Sequence, residues 1–179
     1  MKDDTVNARQ WKMLVDLMEE DEAKEVVARC CEGIQKIAEE MGPSVLEPSM
    51  QRICACLLAL LQEKAPCQML EDDEEEEEEA IDHDHVLMDF VADLVGAMAK
   101  VWGSVFNPFF KPMFPAVLRF AQGSRPSTDR SMAVGAVAEV LDEIDAAAAE
   151  YVAPMVPVVM KGLADSDPNV RASVSTQPL

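Results

Sequence analysis

Three tetrapeptides end on proline and share two apolar residues followed by a polar or small one: Val45-Leu46-Glu47-Pro48, Val105-Phe106-Asn107-Pro108 and Tyr151-Val152-Ala153-Pro154. Proline suits the first turn of a helix, where its missing N–H would have no intrahelical partner, so each tetrapeptide is predicted to open a helix. The residues two, five, six and nine positions beyond each proline are Met50, Ile53, Cys54 and Leu57, then Phe110, Met113, Phe114 and Val117, then Val156, Val159, Met160 and Leu163. All twelve are apolar, at the spacing that lays one stripe along a helix. A motif repeated in register with its stripe constrains the chain to successive copies of one helical unit, each burying its apolar face against its neighbours.

The remaining periodicity agrees. Ala23, Val26, Val27, Cys30, Ile34, Ile37, Ala38 and Met41 form a stripe that Gly42 and Pro43 terminate, and Trp11, Leu14, Val15 and Met18 suggest a shorter helix before it. Further stripes run through Leu87, Val91, Leu94, Val95, Met98 and Trp102, through Ala133, Val137, Val140, Leu141 and Ile144, and through Val152, Met155, Val156, Val159 and Leu163. No stretch alternates as a half-buried strand would, and a composition poor in aromatics, at 5%, but rich in Ala, Val, Leu and Met favours helices. The predicted fold is all-α, an α-α superhelix of antiparallel helix pairs. Pro48 and Pro108 lie 60 residues apart and Pro108 and Pro154 lie 46 apart, the latter a period suited to a two-helix unit. The excess of 14 matches an insertion between the first two units.

That insertion is acidic. Glu71, Asp72, Asp73, Glu74, Glu75, Glu76, Glu77, Glu78 and Glu79 place nine carboxylates in succession and supply −9 of a net charge of −19. Such a run is expected to be solvated, either as a loop that only discourages aggregation or as an attractor for something basic. A strongly acidic chain is repelled by phosphate backbones and anionic lipid, so direct nucleic-acid and membrane partners are disfavoured and basic proteins favoured. The start lacks the apolar core of a signal peptide, and no apolar run is expected to approach the length of roughly 18 to 20 residues that a membrane span needs. Cys30, Cys31, Cys54, Cys56 and Cys67 are odd in number and form no disulfide framework, which points to a reducing, intracellular compartment.

Chemistry-bearing constellations are scarce. His83 and His85 flank Asp84, but residues two apart on a helix point about 200° away from each other, so a solvated helix start with Asp82 or Asp84 as N-cap is favoured over a metal site. The cysteines lack the paired C-x-x-C spacing of structural zinc, and Cys30 and Cys54 lie on apolar stripes, as core residues would. With two histidines and no G-x-S-x-G or phosphate-cradling glycine loop, the chain is predicted to be no enzyme and to use no cofactor or metal. Arg52, Lys111, Arg119 and Lys161 on the second helices of the pairs make the acidic character local.

Three passages resemble the HEAT-repeat nuclear transport receptors of the importin-β (karyopherin-β) superfamily. They are EVVARCCEGIQKIAEEMGPSVLEP from Glu25, EDDEEEEEEAIDHDHVLMDFVADLVGAMAKVWGSVFNPFF from Glu71, and DRSMAVGAVAEVLDEIDAAAAEYVAPMVPVVMKGLADSDPNVRASV from Asp129. In the last, Asp165, Asp167, Pro168, Val170 and Arg171 fit the D-x-D-P-x-V-R turn of HEAT repeats, in which Asp and Arg tie adjacent units together. The acid run beside this repeat most resembles the branch of subunit beta four type, which imports ribosomal proteins and core histones. The resemblance implies a HEAT solenoid with a preceding helix over 1–20, repeats over 21–66, 80–123 and 127–164, an acidic insertion over 67–85 and the start of a further repeat over 165–179. It implies cargo binding by Glu71 to Glu79, repeat stacking by Asp165, Asp167 and Arg171, and shuttling between cytoplasm and nucleus through phenylalanine-glycine nucleoporins, with release by Ran-GTP in the full-length receptor. Such receptors carry many more repeats than three and Ran-binding amino-terminal repeats that have no counterpart here, so an internal fragment is expected, with apolar faces at both ends and weak self-association. The closing STQPL is expected to abandon the helix begun at Pro168. The alternative is a HEAT scaffold outside transport, or a chaperone of basic proteins.

Overall fold

A computed structural model describes the backbone of residues 3–69 and 77–176 and the side chains of 11–69 and 84–175. Among the described residues every regular element is helical, so the all-α expectation holds. The chain divides into two compact units, Met1–Ala97 and Met98–Leu179.

The first unit comprises α1 (Asp3–Glu20), α2 (Lys24–Met41), the short α3 (Pro43–Leu46), α4 (Met50–Leu61) and most of α5 (Glu77–Trp102). Asp21 breaks α1 from α2, its Oδ1 accepting the Ala23 N–H at 2.8 Å. At the far end of α2, Gly42 adopts φ +76°, a left-handed conformation available to glycine at little cost, and its N–H closes the helix on the Ala38 carbonyl at 3.0 Å. The α2 stripe buries Val27, Cys30, Cys31, Ile34 and Ala38, joined in the core by Val15 and Met18 of α1, by Ile53, Leu57, Leu60 and Leu61 of α4, and by Leu87, Val91 and Leu94 of α5. Gly33 lets α1 approach, since a Cβ there would stand 3.1 Å from Leu14 Cδ1. Against the expectation that no apolar run approaches the length of a membrane span, Pro43–Gln68 is long and apolar enough by composition to cross one, but half of that window is buried within the protein and 3₁₀ turns interrupt it.

The second unit contains a 3₁₀ turn at Gly103–Phe106, α6 (Asn107–Phe120), α7 (Ser127–Glu143), a 3₁₀ turn at Asp145–Ala148, α8 (Ala149–Leu163) and α9 (Pro168–Thr176). Phe106, Phe110, Phe114 and Tyr151 make one aromatic cluster: Tyr151 lies 5.4 Å from the Phe110 centroid and 4.8 Å from that of Phe114. Tyr151 donates its hydroxyl proton to Asn107 Oδ1, so the buried phenol is satisfied. Gly162 of α8 faces Val174 of α9 so closely that a Cβ would come within 2.5 Å of Val174 Cγ2.

Four expectations need correction. Pro48 sits in the 3₁₀ turn ahead of α4 and Pro108 in the first turn of α6, as expected, but α8 begins at Ala149 and carries Pro154 and Pro157 inside it. The third stripe is not core: Val156, Met160 and Leu163 are 51%, 63% and 45% exposed, Val159 is half-buried, and α8 instead buries Tyr151, Met155 and Gly162. This helix is apolar nearly all round, so its periodicity does not select which face turns inward. Helix α5 begins at Glu77, so Asp82 and Asp84 lie within it and not at its N-cap position. The helix begun at Pro168 continues through Ser175 and Thr176, leaving only Gln177, Pro178 and Leu179 outside the described residues.

Candidate functional site

Glu71 to Glu76 of the proposed cargo segment lie outside the described residues, as do the side chains of Glu77, Glu78 and Glu79 and of Asp82 and His83. The backbone of Glu77–Glu79 forms the first turn of α5, where carboxylates are favoured by the helix dipole. Beyond it, acidic side chains continue along the helix. Asp84 meets Lys24 Nζ at 3.1 Å, fastening the start of α5 to the start of α2. One turn further, Asp89 lies 3.6 Å from His85 Nε2. Desolvation, with Asp89 and then Glu39 nearby, raises the Asp93 carboxyl above its ordinary value. His85 Nδ1 is buried without a hydrogen-bond partner, and among the described residues no group of three His, Cys, Asp or Glu side chains could hold a metal.

Two of the basic residues noted on the second helices are neutralised locally. Arg52 of α4 donates to Asp16 Oδ1 at 2.9 Å and to Glu19 of α1. Lys111 of α6 donates to Glu150 Oε2 at 2.7 Å while Asn107 donates to Oε1 at 2.8 Å, and these bonds hold the Glu150 carboxyl below the usual range. Lys161 is exposed.

The turn between α8 and α9 brings Asp165, Asp167 and Arg171 together. The Asp165 carboxylate accepts a two-point hydrogen bond from Arg130 of α7, Nε at 2.9 Å and Nη2 at 2.7 Å, and the Asp167 N–H at 2.9 Å. Arg130 first, and then that backbone bond, lower its pKa. Asp167 caps α9 by accepting the Asn169 N–H at 2.8 Å. Arg171 donates to the carbonyls of Asp165 and Ser166, at 2.7 and 2.9 Å, rather than to either carboxylate. Arg130 was not singled out in the sequence, yet it is the fourth residue of α7 as Arg171 is of α9, a positional echo that could have revealed it.

All five cysteines are free and buried, as expected for Cys30 and Cys54 from their positions on the apolar stripes. Burial raises every thiol, Cys54 to about 12 and Cys56 and Cys67 to about 11, so none is a ready thiolate at neutral pH.

These features define a class of protein by its fold: an all-α chain of repeated helices, with the α8–α9 turn tied to α7 by the Asp165–Arg130 pair, and a dense acidic segment in its sequence. No protein-family profile matches it. Among curated proteins it is 28% identical over 169 residues to importin-4 of Mus musculus and 28% identical over 170 residues to importin-4 of Homo sapiens, in each case covering 93% of this chain. It is also 28% identical over 134 residues, 69% of the chain, to the probable importin subunit beta-4 of Schizosaccharomyces pombe. The chain is thus similar to importin-4 proteins, and it spans 16% of the length of the mouse and human ones.

Proposed function

We propose that the chain is part of a nuclear import receptor that binds basic cargo such as ribosomal proteins or core histones by stoichiometric contact, without chemistry. The observation that carries this reading is the similarity to importin-4 across 93% of the chain. The run of nine carboxylates from Glu71 to Glu79 supports the cargo class, because such a run attracts Lys- and Arg-rich segments, speeds their encounter and weakens with salt. The cargo contact is direct but diffuse, several carboxylates sharing each lysine in rapid exchange. Asp165, Asp167 and Arg171, with Arg130, hold neighbouring repeats in register. In the full-length receptor, Ran-GTP releases the cargo in the nucleus and phenylalanine-glycine nucleoporins carry the receptor between cytoplasm and nucleus.

The test is fluorescence anisotropy of a labelled histone-tail or ribosomal nuclear-localisation peptide over a salt series, with this chain and with a variant carrying Gly/Ser at residues 71–79. Loss of both affinity and salt slope in the variant is the expected result. Unchanged binding in the variant would make the run a spacer and remove it from the cargo site.

A further inference from the structure

The chain from Ala121 to Pro126 joins α6 to α7, and Gln122, Gly123 and Ser124 within it are all exposed. The Arg125 N–H closes on the Gln122 carbonyl at 3.0 Å, which puts Gly123 and Ser124 at the tip of a β-turn. Arg130 fixes this turn, since its guanidinium donates to the Arg125 carbonyl and to the Asp165 carboxylate together. Against the tip stands Lys161, from the last turn of α8: a Cβ on Gly123 would lie 3.3 Å from its Nζ. Lys161 is exposed, and among the described residues its ammonium makes no hydrogen bond or ion pair. Ser124 is the next residue, its Cα about 3.8 Å beyond that of Gly123, so an anion carried on its hydroxyl comes within reach of the flexible lysine stem. Arg125 adds a second cation to the same turn, its guanidinium over the Phe120 ring at 4.7 Å.

We propose that Ser124 is a phosphorylation site whose phosphate Lys161 captures, clasping the α6–α7 turn to the end of α8. In the transfer, which a protein kinase performs with ATP, the Ser124 Oγ attacks the γ-phosphorus. An Oγ–P bond forms, the bond from that phosphorus to the bridging oxygen breaks, ADP leaves, and the hydroxyl proton passes to the base of the kinase. The new group brings about −1.5 to −2 charges at pH 7 and three acceptor oxygens to an ammonium that offers three donors. Helix dipoles do not decide the outcome. Ser124 follows the end of α6 at Phe120 and precedes the start of α7 at Ser127, so the negative end of one helix and the positive end of the other offset. The two hydroxyls that follow fit less well. Ser127 donates to the Asp167 carboxylate, so a phosphate there would meet a like charge. Thr128 adjoins Asp129 inside α7, where a kinase would have to unwind the helix to reach it.

The experiment incubates the 179-residue chain with ATP and a eukaryotic cytosolic extract and locates the phosphate by mass spectrometry. Phosphate on Ser124 is expected, and its absence, or phosphate on Ser127 or Thr128 alone, overturns the site. Capture is read separately on the chain with phosphoserine installed at position 124 during translation. Its melting temperature should exceed that of the unmodified chain by about 2–4 °C, and the gain should shrink at about 0.5 M salt. Lys161→Gln should abolish the gain while leaving the unmodified chain's melting temperature where it was, because Lys161 is exposed and holds no described residue there. A gain that survives Lys161→Gln, or a phosphate that lowers the melting temperature, overturns the capture.

Discussion

At the scale of single residues the α8–α9 connection is where small changes should have readable consequences. Asp165 has a folded-state pKa below its unfolded value, so its contribution to stability is complete above the unfolded value of about 3.9 and is lost as pH falls through the lower folded-state value. Asp165→Asn should therefore melt earlier than wild type at neutral pH, and the two melting curves should converge as the acid range is entered. A gap that stays constant with pH would show that the loss is one of packing and not of charge. Gly162 offers a test independent of pH: a Cβ there would meet Val174 Cγ2 at 2.5 Å, so Gly162→Ala should destabilise by about 1–3 kcal/mol through overpacking. Adding Val174→Ala should recover part of that loss, and denaturant titration of the four proteins in the cycle measures the coupling. The five buried thiols should resist a thiol reagent until the protein is unfolded, the rate following denaturant rather than pH in the neutral range.

Among the elements, α6 is fixed by the aromatic cluster it presents to α8. Phe110 is fully buried and touches Phe106, Phe114 and Tyr151, so Phe110→Ala should cost about 3–5 kcal/mol and lower the melting temperature sharply, whereas Phe110→Leu should lose much less. Equal losses for the two variants would mean that ring-specific contacts outweigh the volume filled. Both α6 and α8 were legible in the sequence as apolar helices opened near proline, but only α6 was legible in phase. Its stripe is bounded by exposed Lys111, Pro112 and Pro115, so polarity and chain stiffness mark the outer face. In α8 the residues around Met155 are apolar on every side, and Tyr151 won the inward position because its ring and hydroxyl find partners on α6 that Val152 would leave empty. The start of α5 was misplaced for a different reason. A run of glutamates has no apolar period to follow, yet glutamate is a good helix former and favoured in the first turn. The Asp165–Arg130 contact was half legible: a turn motif announces the carboxylate, while its partner, 35 residues earlier, is named only by the folded chain.

For the whole molecule the governing quantity is charge. The net charge of −19 contains −9 from residues 71–79, leaving −10 elsewhere, and like charges held in a compact chain repel one another most when salt is low. The short-range ion pairs act in the opposite sense: Lys24–Asp84, Arg52 with Asp16, Lys111–Glu150 and Arg130–Asp165 are local attractions that salt weakens. If self-repulsion is the larger effect, the melting temperature of the chain should rise from low salt to about 0.15 M, where the Debye length has shrunk to about 8 Å. The variant with Gly/Ser at residues 71–79 should then melt higher than wild type at low salt, with the two converging as salt is added. That result would mean the acid run is maintained against folding stability, which a mere spacer would not require. A salt dependence identical in the two proteins, measured by scanning calorimetry at several ionic strengths, would show instead that the nine carboxylates are too well solvated to act on the folded chain. The anisotropy titration of a basic peptide would then be the sole measure of their effect. The two measurements are separable because the first contains no partner. A run that repels its own fold and binds a basic peptide more weakly with salt would be acting through one field in both, directed inward in the free chain and outward in the complex.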